Sequence, residues 1–294
     1  MDVAATPTDL GGATAFVSVT AGADGSFTAS APVSFGAVVL TVSATKAGAT
    51  AYAQRTVVGE LTGGTTVLDV TDPDGDDHGP GTYAYPTAAD FRPGALDLQR
   101  FQVITDDTTV YLRALLRDLT PTFGNAMGAQ LLDVYVREPG AAPVSDRPAF
   151  PQRNHTLADG WTQRVGVQGF AAPVWLDASG ASRGDAAVRA SRSTRTITIA
   201  LPRAAFGTPG SGWRFAVVLH GQDGFSPDQA RGFAPAPQPF LFGVCAAGGT
   251  APICAADPGT VPKAIDVITP PGTSQEVELD PTRGPVAIAS VTVP

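Results

Sequence analysis

Glycine and proline interrupt this chain so often that long helices are ruled out. There are 33 glycines and 26 prolines in 294 residues. Between them lie short runs rich in Val, Thr, Phe and Ala, with no sustained 3.6-residue period. "VVLTVSAT" (38–45), "TVYLRALLRDL" (109–119), "QLLDVYVRE" (130–138), "TRTITIALP" (194–202) and "WRFAVVLHGQDG" (213–224) each read as a strand. "PRAAFG" (202–207) and "SPDQARGF" (226–233) each have room for one helical turn. Turn signals at this spacing predict an all-β chain of β-sandwiches. Hydrophobic residues make up 43%, enough material for a core.

Charge narrows the function classes. Charged residues are only 16% and the net charge is −8, so no basic stripe exists to displace phosphate counterions, and nucleic acid is excluded as a partner. No apolar run approaches the length of a membrane span. The opening "MDVAATPTDLGG" has neither the basic start nor the apolar stretch of a signal peptide, so Met1 reads as the start of a fragment. A domain boundary is expected at "GELTGGTT" (59–66), a short flexible link. Upstream, residues 1–60 read as a minimal Ig-like sandwich with hairpin turns at Asp24-Gly25 and Ala47-Gly48. Downstream, residues 67–294 read as one larger sandwich.

The stretch "TDPDGDDHGPGTYAYPT" (71–87) carries the chemistry. Asp72, Asp74 and Asp76 alternate, so an extended or turning backbone brings their carboxylates to one side, and Asp77 adds a fourth. Such a cluster repels itself unless a cation neutralises it, and calcium, a hard oxygen-seeking ion, suits it best. The spacing opens like an EF-hand but places Asp77 where that loop needs glycine and Tyr83 where it needs glutamate, so an EF-hand is excluded. Two readings stand: a solvated acidic turn, or a rigid cation site, to which the Gly79-Pro80-Gly81 run tilts the balance. His78 beside it reads as a bystander.

Catalytic signatures are missing. The sequence has no nucleophile elbow, no Gly-rich phosphate loop and no histidine pair at metal spacing. His78, His155 and His220 fall on separate expected elements. Glu60, Glu138, Glu276 and Glu278 read as ordinary surface carboxylates, so any catalysis belongs to another domain of a parent chain. Cys245 and Cys254 enclose "AAGGTAPI". That spacing suits neither a redox pair nor a zinc site, and a disulfide is the plain reading, with an oxidising compartment as its corollary.

Residues 72–119, with "GWTQRVGVQGF", "WRFAVVLHGQDGFSPDQARGF" and "VPKAIDVITPPG" following in order, resemble the C-terminal module of bacterial glucodextranase and related secreted amylolytic enzymes, a likeness covering roughly residues 67 to 294. The first sixty residues are similar to the Ig-like domain that precedes this module. The resemblance implies a β-sandwich of the DOMON and carbohydrate-binding kind, with calcium near the aspartate loop. It adds Asp97 of "GALDL" and Asp223 of "GQDGF" to Asp72, Asp74, Asp76 and Asp77 as metal candidates. It also implies a secreted or cell-surface setting and a non-catalytic region covalently continuous with a catalytic domain.

Two functions follow from these readings. One is binding of a polysaccharide, an α-glucan first, through aromatic faces. The other is spacing or anchoring at the cell envelope, on an envelope glycan or with no saccharide affinity at all. Trp161 and Trp213 read as core residues. Trp175 is the better sugar platform, with burial the competing reading. Tyr83, Tyr85 and Phe225 either pack over their loops or project outward. Haem binding lacks plausible axial ligands.

Overall fold

The computed structural model describes residues 1–7, 14–33, 36–59, 61, 63–142, 152–226 and 229–294. Near the N-terminus, β1 (Asp2–Pro7), β2 (Ala15–Ser18), β3 (Gly36–Lys46) and β4 (Ala49–Gly59) make one antiparallel sheet in the order β2-β1-β3-β4. Ala47 and Gly48 turn the β3–β4 hairpin with φ of 51° and 82°, the left-handed pair that a two-residue hairpin demands. The Asp24-Gly25 turn forms as well, with Gly25 N–H donating to the Gly22 carbonyl, but it joins no strands. Among the described residues no second sheet forms in this part of the chain to complete the expected Ig-like sandwich.

The rest of the chain holds β5 (Thr65–Thr71), β6 (Leu98–Thr105), β7 (Thr109–Leu116), β8 (Gln130–Arg137), β9 (Thr156–Leu157), β10 (Gln163–Gln168), β11 (Val174–Asp177), β12 (Ala187–Ser191) and β13 (Thr196–Pro202). After a single helical turn, α1 (Arg203–Phe206), come β14 (Arg214–Gly221), β15 (Phe233–Ala234), β16 (Phe242–Gly243), β17 (Asp266–Val267), β18 (Ala287–Ile288) and β19 (Val291–Thr292). Two antiparallel sheets dominate. One runs β12-β13-β7-β6-β5 and the other β11-β10-β8-β14-β17, with β19 also paired to β14.

Strand periodicity builds the core between these sheets. In β7, Val110, Leu112, Ala114 and Leu116 are buried and the residues between them are not, the alternation of a strand with one covered face. They meet Ile197, Ile199 and Leu201 of β13, and across the sandwich Leu132, Val134 and Val136 of β8 and Phe215, Val217 and Leu219 of β14. Each such side chain contributes about 1.5–3 kcal/mol on burial. β8 is buried on both faces, because an outer layer carrying Leu157, Trp161, Leu279 and Ile288 packs on Tyr135, Ala216 and Val218. The parallel β9–β18 pair belongs to that layer.

Beneath the outer layer Asp133 is fully buried. Arg153 Nε donates to its Oδ2 at 2.7 Å, and His220 Nε2 lies 3.3 Å from the same oxygen. His220 Nδ1 lies 2.8 Å from the Lys263 carbonyl oxygen, so each ring nitrogen faces an acceptor. The His155 ring stacks on His220 with centroids 5.6 Å apart. The sequence reading kept the histidines on separate elements, and the fold packs two of them face to face.

The helical turn expected within 226–233 falls partly on residues 227 and 228, which lie outside the described residues. Around them Gln229 N–H donates to the Ser226 carbonyl at 3.3 Å, Ala230 bridges to Gln222 and Phe233 enters β15. Cys245 and Cys254 form a disulfide with Cα atoms 5.5 Å apart, holding the segment of the short 3-10 turn Pro252–Ala255 against the core.

Candidate functional site

One end of the sandwich gathers the residues of interest. β8 runs antiparallel to β10 and β14, with Leu131 opposite Gln168 and Gln130 opposite Gly221. Gln130 Nε2 donates to the Ala95 carbonyl at 2.9 Å, which brings the approach to β6 to the same end. β5 finishes there too, with Thr71 opposite Arg100.

The acidic loop leaves β5 by extending its ladder, Asp72 N–H donating to the Gln99 carbonyl at 3.0 Å. Gly75 then turns the chain with φ of 85°, and its N–H donates to Asp97 Oδ2 at 2.8 Å. Asp97 thereby fixes the turn that returns Asp76 towards Asp72. At Gly79 a Cβ would fall 2.3 Å from the Tyr83 ring, so glycine is required for the loop to fold back over its own tyrosine. Gln275 ties the loop to the other sheet, donating to the Asp76 carbonyl at 2.6 Å and accepting from Val267 N–H at 2.8 Å.

Asp72, Asp76 and Asp266 converge here, each offering a carboxylate oxygen within 4.8 Å of the others. Asp266 is fully buried, and its Oδ2 accepts from Leu98 N–H at 2.6 Å. Asp72 Oδ2, Asp76 Oδ1 and Asp97 Oδ1 are buried without a hydrogen-bond partner, and Asp97 as a whole is solvent-inaccessible. Burial, followed by the charge of Asp76, pushes Asp72 up to about 8. Burial also lifts Asp76 to about 6, with Asp97 and Asp77 adding to the effect. Asp266 is held well above the ordinary carboxylate range by burial and by Asp72, and Asp97 is raised by burial and by Asp77. Carboxylates placed this way and lacking a counter-cation oppose one another's ionisation. The arrangement has donors suited to a hard cation: three carboxylates whose oxygens lie within 4.8 Å of one another.

The other aspartates named from the sequence stand elsewhere. Asp74 is exposed, accepting from Gln99 Nε2 at 2.9 Å and lying 3.5 Å from Arg117 Nε. Asp77 turns away to accept the Tyr85 hydroxyl and sits 3.7 Å from His78. Asp223 caps its own turn, accepting from Phe225 and Ser226 N–H groups at 2.9 Å each. Sequence reasoning missed Asp266, although a lone aspartate in the apolar run "AIDVI" was a usable signal, since an ionised group seldom sits in a buried strand unpaired.

The aromatic assignments need correction. Trp175 is 2% exposed; its Nε1 donates to Gln163 Oε1 at 3.1 Å and its ring packs on Phe206. It has no free face for a sugar. Tyr83 is buried too, donating to the Pro262 carbonyl at 2.8 Å. Tyr85 is a half-buried strut: its hydroxyl donates to Asp77 and accepts from Leu96 N–H, while its ring meets Phe242 edge-on. Trp161 and Trp213 are buried. Phe225 is 92% exposed.

Fold and site together define a β-sandwich module whose marked features are a buried carboxylate cluster and exposed rings on loops. The family model for the C-terminal, SLH-like binding module of glucodextranase matches residues 67–291. The chain belongs to that family. No curated protein matches it. Among the described residues no helix is long and apolar enough to cross a membrane.

Proposed function

We propose that this chain is a non-catalytic accessory region of a secreted glycoside hydrolase, stabilised by calcium and binding an α-glucan. The observation that carries the reading is the family match: a module described as a binding module of glucodextranase spans most of the chain. A dextran- or starch-like α-glucan is the substrate class that this enzyme name supports.

Calcium is supported by the orphaned buried oxygens of Asp72, Asp76 and Asp97 beside Asp266. Asp72, Asp76 and Asp266 would hold the ion, while Asp97 orients the turn through Gly75. Bound there, the ion neutralises carboxylates that otherwise repel. Because Asp72 follows β5 and Asp266 lies in β17, these side chains fasten one sheet to the other.

Retention of the chain on starch, cross-linked dextran, cellulose and purified bacterial cell wall tests the reading, with calcium and again with a chelator. Retention on an α-glucan supports it. The words "SLH-like" in the family description favour a second reading, attachment at the cell envelope. Retention on cell wall alone would select that one.

A further inference from the structure

The described exposed aromatics beyond residue 60 are Phe123, Phe170, Phe225 and Phe240, and they gather on loops at the end of the sandwich that holds the carboxylate cluster. Phe123 tips a hairpin closed by a Thr122–Asn125 bridge, and Phe240 tips another closed by Gln238–Leu241. They are 39% and 52% exposed. Both rings meet the buried Phe91 edge-on, with centroids 5.6 Å and 6.4 Å away. Arg231 braces Phe91 from 4.6 Å, and its Nη1 donates to the Phe240 carbonyl at 2.8 Å. A Cβ on Gly224 would lie 3.6 Å from Arg231 Nη2, so the turn bearing Phe225 rests on the same guanidinium. Phe170 joins through Asn125, whose Nδ2 donates to the Gly169 carbonyl.

These rings are displayed, not left over from the core. Phe123 has φ of 51°, a left-handed conformation that a bulky residue adopts at a steric cost and that asparagine or glycine would adopt readily. The segments that carry Phe123, Phe170 and Phe240 are neutral as well. Segments 119–129, 169–173 and 235–244 contain no Asp, Glu, Lys, Arg or His. Rings set among Thr122, Asn125 and Gln238 offer apolar faces beside neutral hydrogen-bonding groups, the combination that an uncharged saccharide uses. The tryptophans and Tyr83 are buried, so among the described residues beyond 60 these four rings are the exposed aromatic faces.

We infer that this phenylalanine rim, with Phe123, Phe225 and Phe240 gathered around Arg231, is the glycan-binding face, and that its ligand is a neutral glucan chain. The inference rests on the proposed function and names the surface that performs it. It differs from the sequence expectation, which placed sugar contacts on Trp175 and the two tyrosines.

Affinity electrophoresis of the full chain in gels containing soluble starch or dextran, with calcium present, tests it. The forms compared are wild type, Phe123→Gly, Phe240→Ala, the F123G/F240A double variant and a Phe16→Ala control on the separate N-terminal sheet. The expected result is a roughly tenfold weaker affinity for the double variant, an unchanged control, and a melting temperature for Phe123→Gly no lower than wild type. Equal retardation of wild type and double variant overturns the rim assignment but leaves glucan binding standing. A wild type retarded by no glucan overturns both. A wild type that dimerises in sedimentation and loses the dimer in F123G/F240A makes the rim a protein contact and overturns the inference.

Discussion

Asp72 directly follows β5 of one sheet and Asp266 lies in β17 of the other, yet they present carboxylate oxygens within 4.8 Å of each other. Both carboxyls are driven upward chiefly by burial; the charge of Asp76 adds to the rise at Asp72, and the charge of Asp72 adds to the rise at Asp266. Two such groups facing one another are a liability in the metal-free protein and become a clamp once a cation sits between them.

Neutralising one member should therefore have opposite effects with and without metal. Asp266→Asn is expected to raise the melting temperature of chelator-treated protein and to abolish any rise on adding calcium. Wild type should gain about 2.7 kcal/mol at free calcium a hundredfold above its Kd. Thermal melts of both proteins, with chelator and with excess calcium, check this. A calcium response of wild-type size in Asp266→Asn would remove Asp266 from the site.

The metal-free protein should also lose stability as pH rises. Asp72 and Asp76 have folded values raised to about 8 and about 6 from an ordinary 3.8. Raised carboxylates favour folding fully below their unfolded value, and the benefit is lost as pH climbs through the folded ones. The expected outcome is a falling melting temperature between about pH 5 and pH 8 with chelator, and a flatter profile with calcium. Scans at stepped pH in both conditions decide it.

The outer layer should fail in acid for a different reason. Burial, with His220 beside it, lowers His155 to about 3 from 6.5, and burial also lowers His220. Buried neutral imidazoles support folding above the unfolded value, and this support drains away as pH falls from about 6.5 towards 3. His155→Phe should lessen the acid loss. Arg153→Met, which takes the guanidinium from buried Asp133, should cost about 3–5 kcal/mol at neutral pH, measured by urea unfolding.

Trp175→Ala should destabilise by about 3–5 kcal/mol as a cavity-forming core change. At a temperature where it stays folded it should keep wild-type affinity for a retaining glucan. A selective loss of affinity with stability intact would return Trp175 to the ligand.

The all-β architecture was legible because alternation survives in the sequence. "TVYLRALL" writes its buried and open faces directly, and the lone pair of cysteines pointed to its own bridge. Asp72 and Asp76 were legible from local spacing. Asp266 reaches them only because β17 pairs with β14, Asp266 opposite Leu219, a long-range register that no local pattern records. Trp175 misled for a similar reason: the Gln163 and Phe206 groups that enclose it come from other elements. The phenylalanine rim stayed hidden because phenylalanine in a run such as "PAPQPFLFGV" reads as core until loops from several strands are seen to share one end.

Isothermal titration of calcium into chelator-stripped wild type and Asp266→Asn decides whether the carboxylate cluster is a cation site. Wild type is expected to bind at Asp72, Asp76 and Asp266, and the variant to lose that binding. No binding to wild type, or equal binding to both proteins, would contradict that assignment.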